Sequence, residues 1–543
     1  MEGPRLAVAG PASPRIIGRG TWLDSLALKI VDREKSLGRP RSRLRVESGL
    51  SASGVPHIGN LSDCIRAFAV KLALQNVGED SEYVAFADDM DGLRSIPAGF
   101  PQDLKRFLGW PVNRVPDSFA CHTSFAEHTT GLLRDGLDKC GVEYTLMRAS
   151  EAYGKGLFDA QIERLLSRAE AAGRIIEEEV GQERYRELLP YFPVCGNCNR
   201  ILSTQATGFL KQERSVSYRC TGRELKKGSL EGCGFQGRAR IDKGEGKLSW
   251  KVEFAARWSA LKINFEAYGK DIADSVRVND RVMEEILGEP PPYHVRYEMF
   301  LDKTGRKVAK SVGNVLTAQE WLRYGSPESL ILLMLKRIVG ARNVGVEDIV
   351  AYERELDGLE DVFFGAKRTS DEKEKAKLRG LYEYVWRLHP PSKPTVHVPH
   401  SLLVGLARVA PGKSRVEYVL RKLREYGYAA LESDAGIGER IARAVNWALD
   451  FKQVAREPVE AKVEEREAVR SLTERLTKLR GEDEVQNAIF ETAREHGMEP
   501  AGFFRLLYRI LFGEPKGPRL GAYIVDVGVE NVAGTLGEFL KSR

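Results

Sequence analysis

Leu44 and Val46 alternate with Arg43, Arg45 and Glu47, a period of two that predicts a strand with one buried face. A Gly- and Ser-rich turn follows directly. Ile65, Phe68, Ala69 and Leu72 then fall at i, i+3, i+4 and i+7, which predicts an amphipathic helix, and Gly78 stands where it would stop. Tyr83 to Ala87 reads as a second strand and runs into Asp88-Asp89-Met90-Asp91-Gly92-Leu93-Arg94. Carboxylates just past the C-terminal end of a strand lie where open α/β sheets bind ligands. The pattern is interrupted from about 115 to 245 and resumes near Leu248, and past about residue 318 the strand signals disappear. Val485, Ala488, Ile489 and Ala493 define one amphipathic helix stopped by Gly497; Phe503, Leu507, Ile510 and Leu511 define another, stopped by Gly513. Pro390-Pro391-Ser392-Lys393-Pro394 reads as a linker within this helical region.

These patterns predict an α/β half split by an insertion and followed by an all-α region. At 543 residues the chain exceeds what one hydrophobic core usually organises, so three or more domains are expected. Apolar residues at 42% and charged residues at 29% describe a globular chain rather than a disordered one. No stretch approaches the roughly 18 uninterrupted apolar residues that a membrane span needs, so no membrane partner is expected. The first twenty residues, broken by Pro and Gly, lack the apolar run of a signal peptide and read as a tail, which predicts a cytoplasmic protein. A net charge of +6 is compatible with a polyanionic partner. From Lys211 to Lys251 there are 11 Lys or Arg against 5 Asp or Glu, a surface for phosphates or an ordinary solvated face.

Seven cysteines is an odd number, and Cys64, Cys121 and Cys140 are scattered, which disfavours a disulfide framework. Cys195, Cys198, Cys220 and Cys233 are grouped and supply four thiolates, enough for a tetrahedral structural Zn²⁺. Twelve residues separate the second pair, a departure from a tight knuckle. In the turn after the first strand, Gly54 and Gly59 let backbone approach phosphates, and Asn60 can cap a helix whose N-terminal dipole favours an anion. His57 adds a donor. Lys307 and Lys310, on a segment bounded by Gly305 and Gly313, add two cations. Trp250, Phe254, Trp258 and Tyr268 form an aromatic series, either core or the wall of a pocket.

His57-Ile58-Gly59-Asn60 and Lys307-Val308-Ala309-Lys310-Ser311 resemble the HIGH and KMSKS signatures of class I aminoacyl-tRNA synthetases. With Val46 to Asn60, Asp88 to Arg94, the cysteine group, Trp250 to Trp258, Gly269-Lys270-Asp271, Lys307 to Asn314 and Gly517 to Gly521, the chain is similar to the class I lysyl-tRNA synthetase family from about Thr21 onward. That resemblance implies a Rossmann catalytic domain at 21–114 and 247–317, after a tail at 1–20. It places a zinc-bearing, acceptor-end insertion at 115–246, a connecting helical region at 318–359 and an α-helical anticodon-binding domain at 360–543. The implied reaction joins L-lysine to ATP as lysyl-adenylate and then to the 3′ end of tRNA(Lys), with Mg²⁺ accompanying ATP. It gives His57, Lys307 and Lys310 catalytic roles and assigns ATP to Ser51, Ser53, Gly54, His57, Gly59, Asn60, Lys307, Lys310 and Ser311. Lysine falls to Glu47, Gly49, Ser51, Asp88, Trp250, Tyr268 and Tyr297, and a monomer is expected.

Ala309 stands where the signature usually has serine, and Ile272 where relatives of this family have histidine. The glutamyl family is the nearest competitor, and a noncatalytic tRNA-binding paralogue is another reading. Glutamyl enzymes carry an arginine ten residues before the HIGH histidine; this chain has Glu47, which opposes glutamate and attracts an ammonium. Glu47 paired with Arg45 or another cation is the competing interpretation.

Overall fold

The computed structural model describes residues 16–225, 228–298, 300–301, 316–338, 340–369, 371–410, 414–428, 431, 434–451 and 459–541. The chain folds into two compact units. The first comprises residues 1–319, 330–346 and 365–390, and the second comprises 320–329, 347–364 and 391–543. The proline-rich segment expected as a linker contains one of these boundaries, between Pro390 and Pro391.

The first unit is built on five parallel strands: β1 (Leu44–Leu50), β2 (Ser81–Ala87), β3 (Thr145–Arg148), β4 (Phe265–Gly269) and β5 (Tyr293–Tyr297), in the order β5-β4-β1-β2-β3. This is a doubly wound Rossmann-like sheet whose strand order reverses beside β1, and ligands bind outside the strand ends at such a point. The alternation read at Leu44 and Val46 is β1, with both side chains fully buried. The periodic segment after it is α1 (Ile58–Asn76), and Gly78 takes φ +91° just beyond its end, a conformation that glycine adopts without strain. A third element of note is α2 (Trp250–Leu261), started by the Ser249 hydroxyl, which accepts from the Lys251 amide.

Residues 115–246, read as an insertion, also supply β3 to the main sheet, where Val84 to Ala87 pair with Thr145 to Arg148. This strand is four residues long and no residue of it is fully buried, so it leaves no alternation to read. The cysteine-bearing part comes later, around antiparallel pairings of Thr204–Leu210, Ser215–Cys220 and Gln236–Arg240. The second unit holds the expected helices Glu482–Glu495 and Pro500–Phe512, with Gly497 and Gly513 in left-handed conformation past their ends. Helix Glu372–Val385, inside the stretch expected as part of the C-terminal domain, belongs to the first unit.

Candidate active site

The C-terminal ends of β1, β2, β4 and β5 surround a cavity of about 290 Å³. Gly49, Ser51, Ser53, His57, Gly59, Asn60, Asp88, Trp250, Tyr268 and Tyr297 all line it, so the fold brings together most residues singled out from sequence. Gly54 is buried and does not line it, and Glu47 lies behind the wall. Lys307, Ala309, Lys310 and Ser311 fall outside the described residues.

The entrance to α1 is a reciprocal cap. The His57 imidazole accepts at Nδ1 from the Gly59 amide (3.1 Å), while the Asn60 side chain accepts from the His57 amide (3.2 Å). A Cβ on Gly59 would lie 2.7 Å from the imidazole, so a side chain there would break the cap. Because Nδ1 accepts, the neutral ring carries its proton on Nε2 and offers it as a donor. The Ile58 amide donates to Leu316 O (3.0 Å) and that of Asn60 to His57 O (2.9 Å). The first amides of the helix are therefore spent inside the protein, and what α1 offers an anion is its dipole and the side chains of its cap.

The three aspartates after β2 separate cleanly. Asp88 and Asp91 line the cavity. Asp89 turns away and accepts from the Ser150 amide (2.7 Å) and hydroxyl. Asp91 binds Lys247 Nζ (2.7 Å) and accepts from Trp250 Nε1 (3.2 Å).

Beneath these lies a buried charge network that sequence did not reveal. On α2, Trp250, Phe254 and Arg257 fall at i, i+4 and i+7 and present one stripe to the cavity. Arg257 is 1% exposed, pairs with Glu47, lies 3.5 Å from Glu266 and 3.8 Å from Asp88, and sits 4.5 Å over the Phe86 ring. Glu47 is 0% exposed and its carboxylate is turned to this guanidinium, the cation that the competing interpretation required. Lys247, nearly as buried, bridges Asp91 and Glu253 (2.9 Å). Five carboxylates (Glu47, Asp88, Asp91, Glu253, Glu266) thus share two cations. Burial lifts the Asp88 carboxyl to about 7 against the pull of Lys247 and Arg257, with Asp91 and Glu253 adding to the rise. Its Oδ1 is buried without a hydrogen bond. Glu47 is pushed up for the same first reason.

The aromatic series divides. Trp250, Phe254 and Tyr268 line the cavity, whereas Trp258 is core, 2% exposed, with its indole N–H donating to Glu266. Tyr297 donates to Asp63, and the Arg66 guanidinium lies 4.7 Å from its ring centre. Ile272 also lines the cavity.

Cys195, Cys198, Cys220 and Cys233 place their sulfurs within 4.8 Å of one another. The Cys195–Cys233 and Cys198–Cys220 separations are 3.6 and 3.8 Å. Four thiolates at Zn–S distances near 2.3 Å stand roughly 3.8 Å apart, so the group fits a tetrahedral Zn²⁺. The long Cys220–Cys233 interval is taken up by a hairpin, Gly222–Glu224 against Ser229–Glu231, that returns the chain to its starting point. A second group was missed: Asp117, Cys121, His122 and His128 also bring their donor atoms within 4.8 Å. Cys121 Sγ lies 3.1 and 3.2 Å from the Nδ1 atoms of His122 and His128. The signal was Asp, Cys-His and His within twelve residues; counting Cys121 as a stray thiol hid it.

The family model described as tRNA synthetases class I (K) matches residues 20–387. The chain is 46% identical over 520 residues to a lysine–tRNA ligase of Cenarchaeum symbiosum, covering 96% of this chain and 98% of that one. It is 29% identical over 538 residues to a lysine–tRNA ligase of Methanocaldococcus jannaschii, covering 94% and 98%. A lysine–tRNA ligase of Roseobacter denitrificans is 28% identical over 526 residues, with 95% of each chain covered.

Proposed function

The chain belongs to the class I (K) tRNA synthetase family, and from that premise we propose how its central cavity performs the family's chemistry. It is an ATP-using lysine–tRNA ligase. The lysine carboxylate attacks the α-phosphorus of ATP and the bond to the β-phosphate breaks, giving lysyl-adenylate and pyrophosphate. A terminal ribose hydroxyl of tRNA(Lys) then attacks the lysyl carbonyl, and AMP leaves. No covalent protein nucleophile is required; the site works by alignment and by stabilising charge on the triphosphate. His57 donates Nε2–H to the nucleotide beside Ser51, Ser53, Gly59 and Asn60, while Gly54 shapes the turn. Lys307, Lys310 and Ser311 meet the pyrophosphate, and Mg²⁺ travels with ATP.

One observation carries the choice of amino acid: beneath the cavity five carboxylates, of which Asp88, Asp91 and Glu266 line it, share two cations. A desolvated acidic excess favours a cationic side chain and opposes glutamate. Asp88, whose Oδ1 is without a hydrogen bond, takes the ammonium, and Trp250, Tyr268 and Tyr297 enclose the methylenes with Gly49 and Ser51 at the floor of the turn. Glu47 acts one shell back, by holding Arg257 in place. Charging assays with lysine and glutamate test this reading. Lysine transfer with no glutamate transfer is expected, and preferential glutamylation would overturn it.

The helical region from 391 onward reads the anticodon, the insertion meets the acceptor end, and the enzyme works as a cytoplasmic monomer. Among the described residues no helix is long and apolar enough to cross a membrane. Both ligand groups hold Zn²⁺ as structural ions, since each supplies four protein donors and neither leaves an open position for substrate. Elemental analysis should find two zinc ions per chain, falling by one in Cys195→Ser and by one in Cys121→Ser. A chain purified without chelator that carries no zinc would end this assignment.

A further inference from the structure

Asp117, Cys121 and His122 stand on the irregular stretch between Arg114 and helix Phe125–Lys139, and His128 lies in the first turn of that helix. The Asp117 carboxylate accepts from the amides of Phe119 (3.1 Å), Cys121 (2.9 Å) and His122 (2.9 Å), which curls the loop around it. A metal shared by all four donors ties this loop to the helix. Behind the donors is a set of rings. Phe119 stacks on the His128 imidazole with ring centres 4.8 Å apart, and Phe100 packs on Phe119, His128 and Phe125 at 5.2, 5.7 and 5.0 Å.

These rings lead to the nucleotide turn. Phe100, Phe125 and Ala126 share one buried cluster with Ala52, and Val55 packs against it. Thr129, fully buried and next to His128, points its hydroxyl at Ala52 O (2.8 Å), the nearest of three carbonyls around it, with Phe125 O at 3.1 Å and Ala126 O at 3.2 Å. Ala52 stands between Ser51 and Ser53, and all three line the cavity. The segment from Ser51 to Pro56 is neither helix nor strand, so between the end of β1 and the cap of α1 its shape depends on what packs against it. The four-cysteine group differs in this respect: its own buried cluster is Cys195, Tyr218, Cys220 and Ala239, without Ala52.

We propose that Asp117, Cys121, His122 and His128, with their metal, position the ATP-binding turn: they fix the start of helix Phe125–Lys139, and Thr129 there holds Ala52 O so that Ser51 and Ser53 face the nucleotide. The inference rests on the proposed function, which puts ATP on this turn and Zn²⁺ on this group. None of the four donors lines the cavity, so they act through Thr129 and the ring cluster and touch no substrate. Small shifts suffice for such an effect, since a misplacement of about 1 Å can cost a site about 10²-fold. Lysine depends on this support less. Its enclosing residues Asp88, Trp250, Tyr268 and Tyr297 are carried by β2, α2, β4 and β5, away from the turn.

Calorimetric titration of the full chain with ATP and, separately, with lysine tests the link, alongside zinc content and melting temperature. Cys121→Ser, at an exposed position, should lose one zinc and bind ATP about 10-fold more weakly, with lysine affinity changed by less than about twofold. Cys195→Ser should also lose one zinc but keep the parent's ATP affinity. Hydrogen exchange at the amides of residues 51–60 should quicken in the first variant and not in the second. Thr129→Val keeps the metal and the shape of the side chain but leaves Ala52 O without its donor, so it should weaken ATP binding by about 5- to 10-fold at full zinc content. Thr129→Ser retains the hydroxyl and should bind ATP as the parent does. A Cys121→Ser protein that loses its zinc yet binds ATP normally, or loses ATP and lysine affinity alike, overturns the proposal, as does Thr129→Val with parental ATP affinity. Parent protein with no zinc on this group defeats the metal assignment and the proposal together. A parent that carries the zinc and shows the ATP effects in its variants, but charges no tRNA, upholds the link and defeats the function alone.

Discussion

Two depressions share Trp250 and Asp91 and carry opposite charge. Beneath the cavity five carboxylates are set against Arg257 and Lys247; the groove beside it is lined by five cations, Arg94, Arg184, Arg223, Lys247 and Lys251, and by one acid, Asp91, already paired with Lys247. With 83 basic and 77 acidic residues in the chain, neither imbalance follows from composition. The two differ in depth. Arg257 and Glu47 are almost fully buried, so each unneutralised charge there is expensive, whereas Arg94 and Arg184 are exposed and their repulsion is screened by water. A deep acidic excess favours one small cation strictly, whereas the repulsion among shallow cations is screened and tolerated.

The largest expected effect comes from breaking the deep network. Arg257→Met removes the guanidinium from Glu47, Glu266 and Asp88 and leaves carboxylates buried without their cation, a change that typically costs about 3–5 kcal/mol. Denaturant unfolding should show a midpoint shifted well below that of the parent. Arg223→Ala in the groove relieves repulsion and should leave stability unchanged or slightly raised. If both substitutions destabilised the protein alike, depth would not be what separates the two regions.

The frame of this site was readable because β1, α1 and β2 carry apolar runs bounded by Gly, Ser and Asp, although all three are buried on more than one face. Strand β3 escaped because no residue of it is fully buried and it therefore imposes no period. Helix α2 is buried on nearly every side, so its lining stripe of Trp250, Phe254 and Arg257 could not be told from core, and Trp258 is core. Glu47 was read as a partner of the lysine ammonium, with a cation pairing as the alternative, and the fold pairs it with Arg257. Its partner, 210 positions later, is brought to it by folding, and no local pattern records that meeting. The zinc-fitting cysteines were legible from chemistry alone, while the hairpin that closes their long gap was not, and the Asp-Cys-His-His group passed unnoticed because its donors are of three kinds.

A smaller effect divides direct from indirect contact with lysine. Asp88→Asn removes a carboxylate that lines the cavity and should raise KM for lysine by about 10-fold, the scale of roughly 1–3 kcal/mol for one ammonium pair after desolvation, with KM for ATP nearly unchanged. Glu47→Gln should also raise KM for lysine by about 10-fold, but through a displaced Arg257, so it should lower stability as well. Steady-state kinetics with parallel melting curves separate the two. A Glu47→Gln enzyme with parental stability and a raised KM would put Glu47 in direct contact with substrate, and an Asp88→Asn enzyme with parental KM would remove Asp88 from recognition.

The smallest effect follows from the Asp88 carboxyl itself, lifted to about 7 by burial while Lys247 and Arg257 pull it down and Asp91 and Glu253 push it up. Only its ionised form attracts an ammonium. Lysine binding should therefore be strongest above that value and weaken as pH falls through it, with KM for lysine rising severalfold from about pH 8 to about pH 6. Because bound lysine favours the carboxylate, binding near neutral pH should release protons, which calorimetry in buffers of different ionisation enthalpy detects. In Asp88→Asn both signatures should flatten, since the amide does not titrate. A KM for lysine that is level from about pH 6 to about pH 8 in the parent enzyme would mean that the ammonium meets a carboxylate of ordinary acidity instead.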